Sequence, residues 1–261
     1  MVNPVDLFSL NGCVALVTGG GSGLGQAIAD GLARAGARVI VTDVVEANAQ
    51  DTARVIQERG GTAIAAEMDV TKRLQIEDAV SGFVKEWKGI DILVNSAGIA
   101  IRSTALECAE EDFDAVIAVN LKGTFLTSQV VGRYMAKQKR GKIINIASIG
   151  AFIAYPGSVS YLASKGGVAQ LTKSFAVELA QHNVYVNAIA PSLFDTPLIR
   201  RIRSTAAGIP SYMQYFVDRT MVKRLGEVDD IVGTALYLAS DATAGMVTGH
   251  VLPVDGGFLS Q

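Results

Sequence analysis

Tyr161 and Lys165, four positions apart in the stretch YLASK, are the residues whose types and spacing most directly suggest chemistry. In a helix, residues i and i+4 lie on one face a turn apart, so the phenol and the ammonium would point the same way. A tyrosine of ordinary pKa ~10 must fall by about 2.5 units to act as a base near pH 7.5, which is roughly 3.4 kcal/mol. A positive charge ~4 Å away supplies about 4 kcal/mol at an effective dielectric of 20. One lysine is therefore of the right size. The pair alone is weak evidence: with 7 tyrosines and 10 lysines in 261 residues, chance gives roughly 0.3 such pairs per chain. Its meaning depends on the elements that position it.

Those elements alternate. Short β-branched runs at 13–19, 38–43, 62–69, 90–95, 141–148, 184–190 and 250–255 read as buried strands. Helix-like stretches lie near 24–35, 46–59, 72–87, 108–138, 159–181 and 227–239. Apolar runs without alternation, separated by helices, predict a parallel sheet covered on both faces. No Pro/Gly/Ser-rich linker divides the chain, so 1–261 reads as one α/β, doubly wound Rossmann-type domain of about seven strands. Segment 191–226, with Pro191, Pro197 and Pro210, breaks the rhythm and reads as a substrate loop or lid.

The totals exclude several classes. The net charge is −2 with no basic block, so no nucleic-acid or anionic-membrane footprint is present. Cys13 and Cys108 are far apart in sequence and two histidines are too few for a histidine-rich cage, so no metal site is expected. No basic and apolar leader opens the chain, and no apolar run reaches the ~18 residues of a membrane span. A cytoplasmic protein is the expectation.

TGGGSGLG (18–25) follows the first strand and opens the first helix. Gly19, Gly23 and Gly25 let the backbone turn tightly and approach a diphosphate whose charge suits the helix N-terminus. The spacing is G-x-x-x-G-x-G rather than G-x-G-x-x-G, so the position between strand and helix carries the reading. Asp43 ends the second strand, where a carboxylate accepts hydrogen bonds from adenosine ribose hydroxyls and repels a 2′-phosphate. With VVEAN rather than arginines after it, NAD is expected over NADP. Asp69, ending the third strand, reads equally as an adenine contact or a helix cap.

These marks together resemble the short-chain dehydrogenase/reductase family from about residue 10 to 257. TGGGSGLG resembles its cofactor loop, MDV (68–70) its adenine contact and NSAG (95–98) its fourth-strand motif; VNAIAPS (186–192), Thr196 and VDGG (254–257) resemble its later signatures. The resemblance implies cofactor contacts at Gly19, Ser22, Gly23, Leu24, Gly25, Asp43, Asp69, Val70, Asn95, Ala97, Gly98, Tyr161, Lys165, Pro191 and Thr196. It implies a catalytic tetrad of Asn120, Ser148, Tyr161 and Lys165. Tyr161 would then be general base or acid in interconverting a secondary alcohol and a ketone, Ser148 would hold the reacting oxygen, and Asn120 would bind a water that relays protons from Lys165. Lysine's three donors would also reach the nicotinamide ribose. A buried helical asparagine needs its amide satisfied. Two departures stand out: Ser96 where the family commonly has asparagine, and Ser192 where it usually has glycine.

The substrate is less legible. DAVIAVN, VELAQHNVYVNAIAPS and VTGHVLPVDGG look most like the family's sugar-acid and polyol enzymes, such as the gluconate 5-dehydrogenases. Arg102, beyond the fourth strand, reads as a carboxylate or phosphate contact or as a solvated loop residue. Arg200, Arg201 and Arg203 read as an anion clamp or a solvated helix face. Two other functions are open. One is an NADPH-dependent 3-oxoacyl thioester (acyl-carrier-protein) reductase; the other is a catalytically silent dinucleotide sensor. The resemblance also implies a homotetramer pairing the helices around 108–138 and 159–181.

Overall fold

The computed structural model describes residues 4–200 and 209–261. Seven strands, β1 (Val14–Thr18), β2 (Arg38–Asp43), β3 (Thr62–Glu67), β4 (Ile92–Asn95), β5 (Gly141–Ile146), β6 (Val184–Pro191) and β7 (Val251–Val254), form one parallel sheet in the order β3-β2-β1-β4-β5-β6-β7. Both faces are covered, which is why the strands read as unbroken apolar runs. Along β1, Ala15 and Val17 point to one core, Val14 and Leu16 to the other, in the period-2 alternation of a strand.

The first core lies under α1 (Gly23–Arg34), α2 (Glu46–Glu58) and α8 (Val232–Ala239), through Ile28, Leu32, Ile56 and Leu238. The second lies under α3 (Arg73–Trp87) and α5 (Thr124–Gln138), with α6 (Val159–Leu179) beside it, through Ile76, Val80, Phe83 and Val131. The sequence expects one helix over 108–138. The structure instead has α4 (Glu110–Val116), a π-helical stretch Ile117–Gly123 and then α5. The wider turn carries Asn120, and π stretches of this kind mark functional positions. In segment 191–226, Phe194 bridges to Gly226 and α7 (Ile209–Arg219) follows.

Strand order reverses at β1, where β2–β3 lie to one side and β4–β7 to the other. Their C-terminal ends diverge there into a crevice, the usual ligand position in open α/β sheets. Beneath it a buried polar network joins sheet to helices. Asn95 Nδ2 donates to Ser128 Oγ (2.9 Å) and Asn145 Oδ1 (2.8 Å), and Asn145 Nδ2 donates to Thr172 Oγ1 (2.9 Å). Replacing Asn145 by leucine strands two buried partners. Destabilisation of about 2 kcal/mol is expected, a fall of about 4–8 °C in melting temperature. A melting curve shifted by less than a degree would show that this network is not holding β4 and β5 to α5 and α6.

Candidate active site

The glycine loop is forced by close approach. Gly19 has φ +60°, and a Cβ there would sit 2.6 Å from Ala97 Cα; a Cβ on Gly25 would sit 2.2 Å from the Gly19 carbonyl oxygen. The backbone of the loop thus lies directly against the segment leaving β4. Thr18, which sequence reasoning passed over, fixes that segment by accepting from Ser96 N (3.2 Å) and Ala97 N (3.4 Å) at its hydroxyl. Ser96 Oγ lies 3.1 Å from where a Gly25 Cβ would be, so the family-variant serine packs against the start of α1. Ser192, the other variant position, donates its N–H to Val254 O (3.2 Å) and ties β6 to β7.

A cleft of about 610 Å³ opens over this loop. Its walls include the predicted Gly19, Ser22, Gly23, Leu24, Gly25, Asp43, Asp69, Val70, Ala97, Gly98, Tyr161, Lys165 and Thr196, joined by Met68, Thr71, Ile99, Ile146, Pro197 and Leu198. Asp43 is held at the rim: Oδ2 accepts from Gly21 N and Oδ1 from Val45 N, both at 3.1 Å. Asp69 is not the cap of α3, whose N-cap position is Lys72. It borders the cleft while Oδ1 accepts from Thr71 N (2.8 Å) and Thr71 Oγ1 (2.7 Å), shaping the turn before α3. Asn95 and Pro191 stand apart from the walls. Asn95 is buried with its amide turned into the network under the sheet, and Pro191 ends β6. A strand residue one place before the loop faces the interior when its neighbour faces the cleft.

At the other end, α6 brings Tyr161 and Lys165 to the mouth of β5. Lys165 is 5% exposed and its Nζ donates to the carbonyl of Ile146 at 2.6 Å. Nζ lies 5.6 Å from the centre of the Tyr161 ring. Burial pushes the Lys165 pKa down to about 8. Ser148 lies two residues beyond β5, its Oγ accepting from Gly150 N (3.1 Å), which leaves its own proton to donate.

Asn120 is fully buried. Its Oδ1 accepts from Ile99 N (2.8 Å), and Nδ2 donates to Ile99 O (2.9 Å) and Ser164 Oγ (3.1 Å). Both amide protons are engaged, so the side chain clamps the 97–99 segment to α6. Ser164 Oγ donates in turn to the Tyr161 carbonyl (2.7 Å). Arg102 projects from the same segment towards the approach to α6, where Nη2 donates to Pro156 O (3.3 Å) and lies 2.7 Å from where a Cβ on Gly157 would be. Arg200 pairs with Asp195 through two bonds of 2.8 and 2.9 Å. Arg201 and Arg203 lie outside the described residues.

The cleft suits a nicotinamide dinucleotide on its own terms. Glycines leave room for a diphosphate at the start of α1, where backbone N–H groups and the helix dipole favour negative charge. The lysine and tyrosine sit at the far end; Ser148 is not among the wall residues and lies two residues beyond Ile146, whose carbonyl holds the lysine. Among the described residues no helix is long and apolar enough to cross a membrane, and no group of three or more His, Cys, Asp and Glu gathers as for a metal ion.

Comparison with known proteins agrees with this architecture. Residues 19–259 match the short-chain alcohol dehydrogenase model described as "Enoyl-(Acyl carrier protein) reductase". The 2-dehydro-3-deoxy-D-gluconate 5-dehydrogenase of Bacillus subtilis (strain 168) is 41% identical, over 98% of each chain. The 5-keto-D-gluconate 5-reductase of Escherichia coli (strain K12) is 39% identical, over 97% of this chain and 98% of its own. Among solved structures, a gluconate 5-dehydrogenase from Burkholderia cenocepacia J2315, in complex with NADP and tartrate, superposes with TM-score 0.93 at 38% identity, over 99% of this chain and all of that one. The chain belongs to the short-chain dehydrogenase/reductase family. It is an oxidoreductase acting on CH–OH groups with a nicotinamide cofactor.

The buried lysine makes stability depend on pH. Its folded pKa of about 8 lies below the ordinary 10.5, so between these values the unfolded chain holds more protons and stability rises with pH. Below pH 8 both states are protonated and the full burial penalty applies, on the order of 3 kcal/mol. Relative to a Lys165→Met variant, the apoprotein should therefore gain stability from pH 7.5 to 10.5 by about that amount in denaturant titrations. A difference independent of pH would show that the ammonium is not buried as described.

Proposed function

We propose that this protein is an NAD-dependent dehydrogenase of a sugar, polyol or sugar acid. The observation that carries this reading is the meeting of Tyr161 and Lys165 at one end of a cleft whose other end presents Asp43 and Asp69, with Ser148 two residues beyond the Ile146 carbonyl that holds Lys165. Bound in the cleft, the nicotinamide ring exchanges hydride with the carbon that carries the reacting oxygen. Tyr161 takes the hydroxyl proton in oxidation and returns it in reduction. Lys165 favours the phenolate by its charge. Ser148 donates to the reacting oxygen and fixes its orientation, while Asn120 holds the 97–99 segment and α6 in register. Arg102 is suited to a substrate carboxylate, a guanidinium being the natural partner of that group. Segment 191–226 acts as the substrate loop, supported by Thr196, Pro197 and Leu198 in the cleft wall.

The NAD preference rests on charge. Among the described residues lining the cleft Lys165 is the one cation, and it lies at the catalytic end; at the adenosine end stand carboxylates. Relatives of known structure were solved with NADP, so the preference calls for its own test. Another relative, a 3-oxoacyl-[acyl-carrier-protein] reductase of Thermotoga maritima, is 38% identical over 96% of this chain, which supports acyl-thioester reduction as the second reading.

NAD⁺ and NADP⁺ reduction at 340 nm against sugar acids, polyols and sugars tests both. NAD⁺ with one sugar-type substrate should give the strongest rate, falling at least about a hundredfold in Tyr161→Phe. Asp43→Ser should raise relative use of NADP⁺ by about tenfold or more, on removal of a like charge. Silence across the panel with oxidation of NADPH by an acetoacetyl thioester would establish the second reading. We further propose a homotetramer, supported by the outward face of α6, where Val177 is 80% exposed. Light scattering at micromolar concentration should give about four chains of 27.4 kDa; a monomeric mass would overturn it.

A further inference from the structure

The segment after β7 folds back onto α7. Asp255 shapes the turn, its Oδ1 accepting from Gly257 N (2.9 Å) and its Oδ2 from Leu259 N (2.8 Å). Gly256 and Gly257 have φ of +60° and +83°, and the approach is as close as glycine allows: a Cβ on Gly256 would lie 2.5 Å from Val222 Cγ2, and one on Gly257 2.7 Å from Met221 Sδ. Phe258 follows and is buried. Its ring stacks on Phe216 of α7 at 5.3 Å and 25°, with the Arg219 guanidinium 5.4 Å from its centre. Val222 N donates to Gly256 O (3.3 Å), and Gln261 Nε2 donates to Arg219 O. What Phe258 holds leads to the cleft. Ile149, Leu193, Phe216 and Phe258 form a small core of their own, against which Ile199 packs. The chain returning from α7 is tied to the end of β6, where Gly226 N donates to Leu193 O (3.0 Å) and Asp195 N to Gly226 O (2.8 Å). Leu193 and Ile199 therefore anchor in one core the two ends of a short run whose middle, Thr196, Pro197 and Leu198, is cleft wall. That wall reaches the glycine loop: a Cβ on Gly23 would lie 3.5 Å from Thr196 Cβ and 3.7 Å from Pro197 Cδ.

On the reading of the cleft as the dinucleotide site, we infer that Phe258 is a positioning residue for cofactor binding. Through the core it shares with Leu193 and Ile199 it holds residues 196–198 against the start of α1, over the place where the glycine loop receives the diphosphate. The physical link is a population. A wall that stands in its binding position only part of the time lowers the apparent affinity for the cofactor by that fraction. Removing the phenyl ring leaves α7 and the 193–199 run without their shared packing partner, so the wall loses its fixed place. The effect falls on binding more than on chemistry, because Tyr161 and Lys165 stand on α6, outside this core. Phe258 touches neither cofactor nor substrate, and it is 59 residues beyond Ile199 in the chain; only the return of the segment after β7 onto α7 brings the two into one core.

The test uses Phe258→Ala and the milder Phe258→Leu, with Phe83→Leu, in the core under α3, as the measure of lost packing alone. Dissociation constants for NAD⁺ and NADP⁺ are measured by calorimetry, and kcat and the cofactor KM with the substrate that the wild-type enzyme uses best. Phe258→Ala should weaken binding of the preferred cofactor about tenfold and Phe258→Leu about threefold. The cofactor KM should rise to match, while kcat at saturating cofactor changes by less than about threefold. Phe83→Leu should bind the cofactor as the wild-type protein does, although its melting temperature falls too. Unchanged affinity in Phe258→Ala would overturn the proposal, and so would an equal loss of affinity in Phe83→Leu. Where Phe258→Ala fails to fold, Phe258→Leu decides, and wild-type affinity in that variant is the overturning result. Failure of the wild-type protein to bind either dinucleotide would instead sink the reading of the cleft, and the role of Phe258 with it.

Discussion

The buried ammonium of Lys165 sets the terms for its end of the cleft. A charge removed from water is costly unless it is hydrogen-bonded, and this one is held by the carbonyl of Ile146 at 2.6 Å. That bond requires α6 to lie tightly over the end of β5. The inward face of α6 is accordingly small and polar, with Ser164 bonded to Asn120 and Thr172 to Asn145. The same packing presents Tyr161 one turn before the lysine, so the helix that hides the charge also exposes the phenol to it. Burial lowers the lysine's pKa towards 8 but leaves its charge largely in place near neutrality.

The two ends of the cleft are mechanically joined by the segment 97–99. Ala97 lies against Gly19, and Ile99 is gripped by both ends of the Asn120 amide. A displacement of the glycine loop would therefore be passed to Asn120 and on to α6. The π-helical stretch places Asn120 where it can make this grip: an extra residue in the turn swings its side chain out of the regular helix face and towards the segment leaving β4.

The region around α7 and the C-terminal tail is built differently. It depends on residues distant in sequence, Ile149, Leu193, Phe216 and Phe258, which make a small core separate from the two that flank the sheet. Such a satellite core can vary in shape without disturbing the sheet, which is a physical route to different substrates on one fold.

The sequence by itself determined the parallel sheet, because strands buried on both faces read as unbroken β-branched runs between helical periods, and this pattern has few other solutions. It also determined the glycine loop and the Tyr161–Lys165 pair, whose spacings are local and fixed by turn and helix geometry. Tertiary structure decided the rest. Asn95 stands in a recognisable motif, yet the alternation of the strand turns its amide into the interior. Asn120 lies in a stretch that reads as ordinary helix, and its partner Ile99 lies 21 residues away. Thr18 carries no local signal at all. Its role follows from the close approach of Gly19 to Ala97, a contact between distant parts of the chain that exists only once the sheet has brought them together.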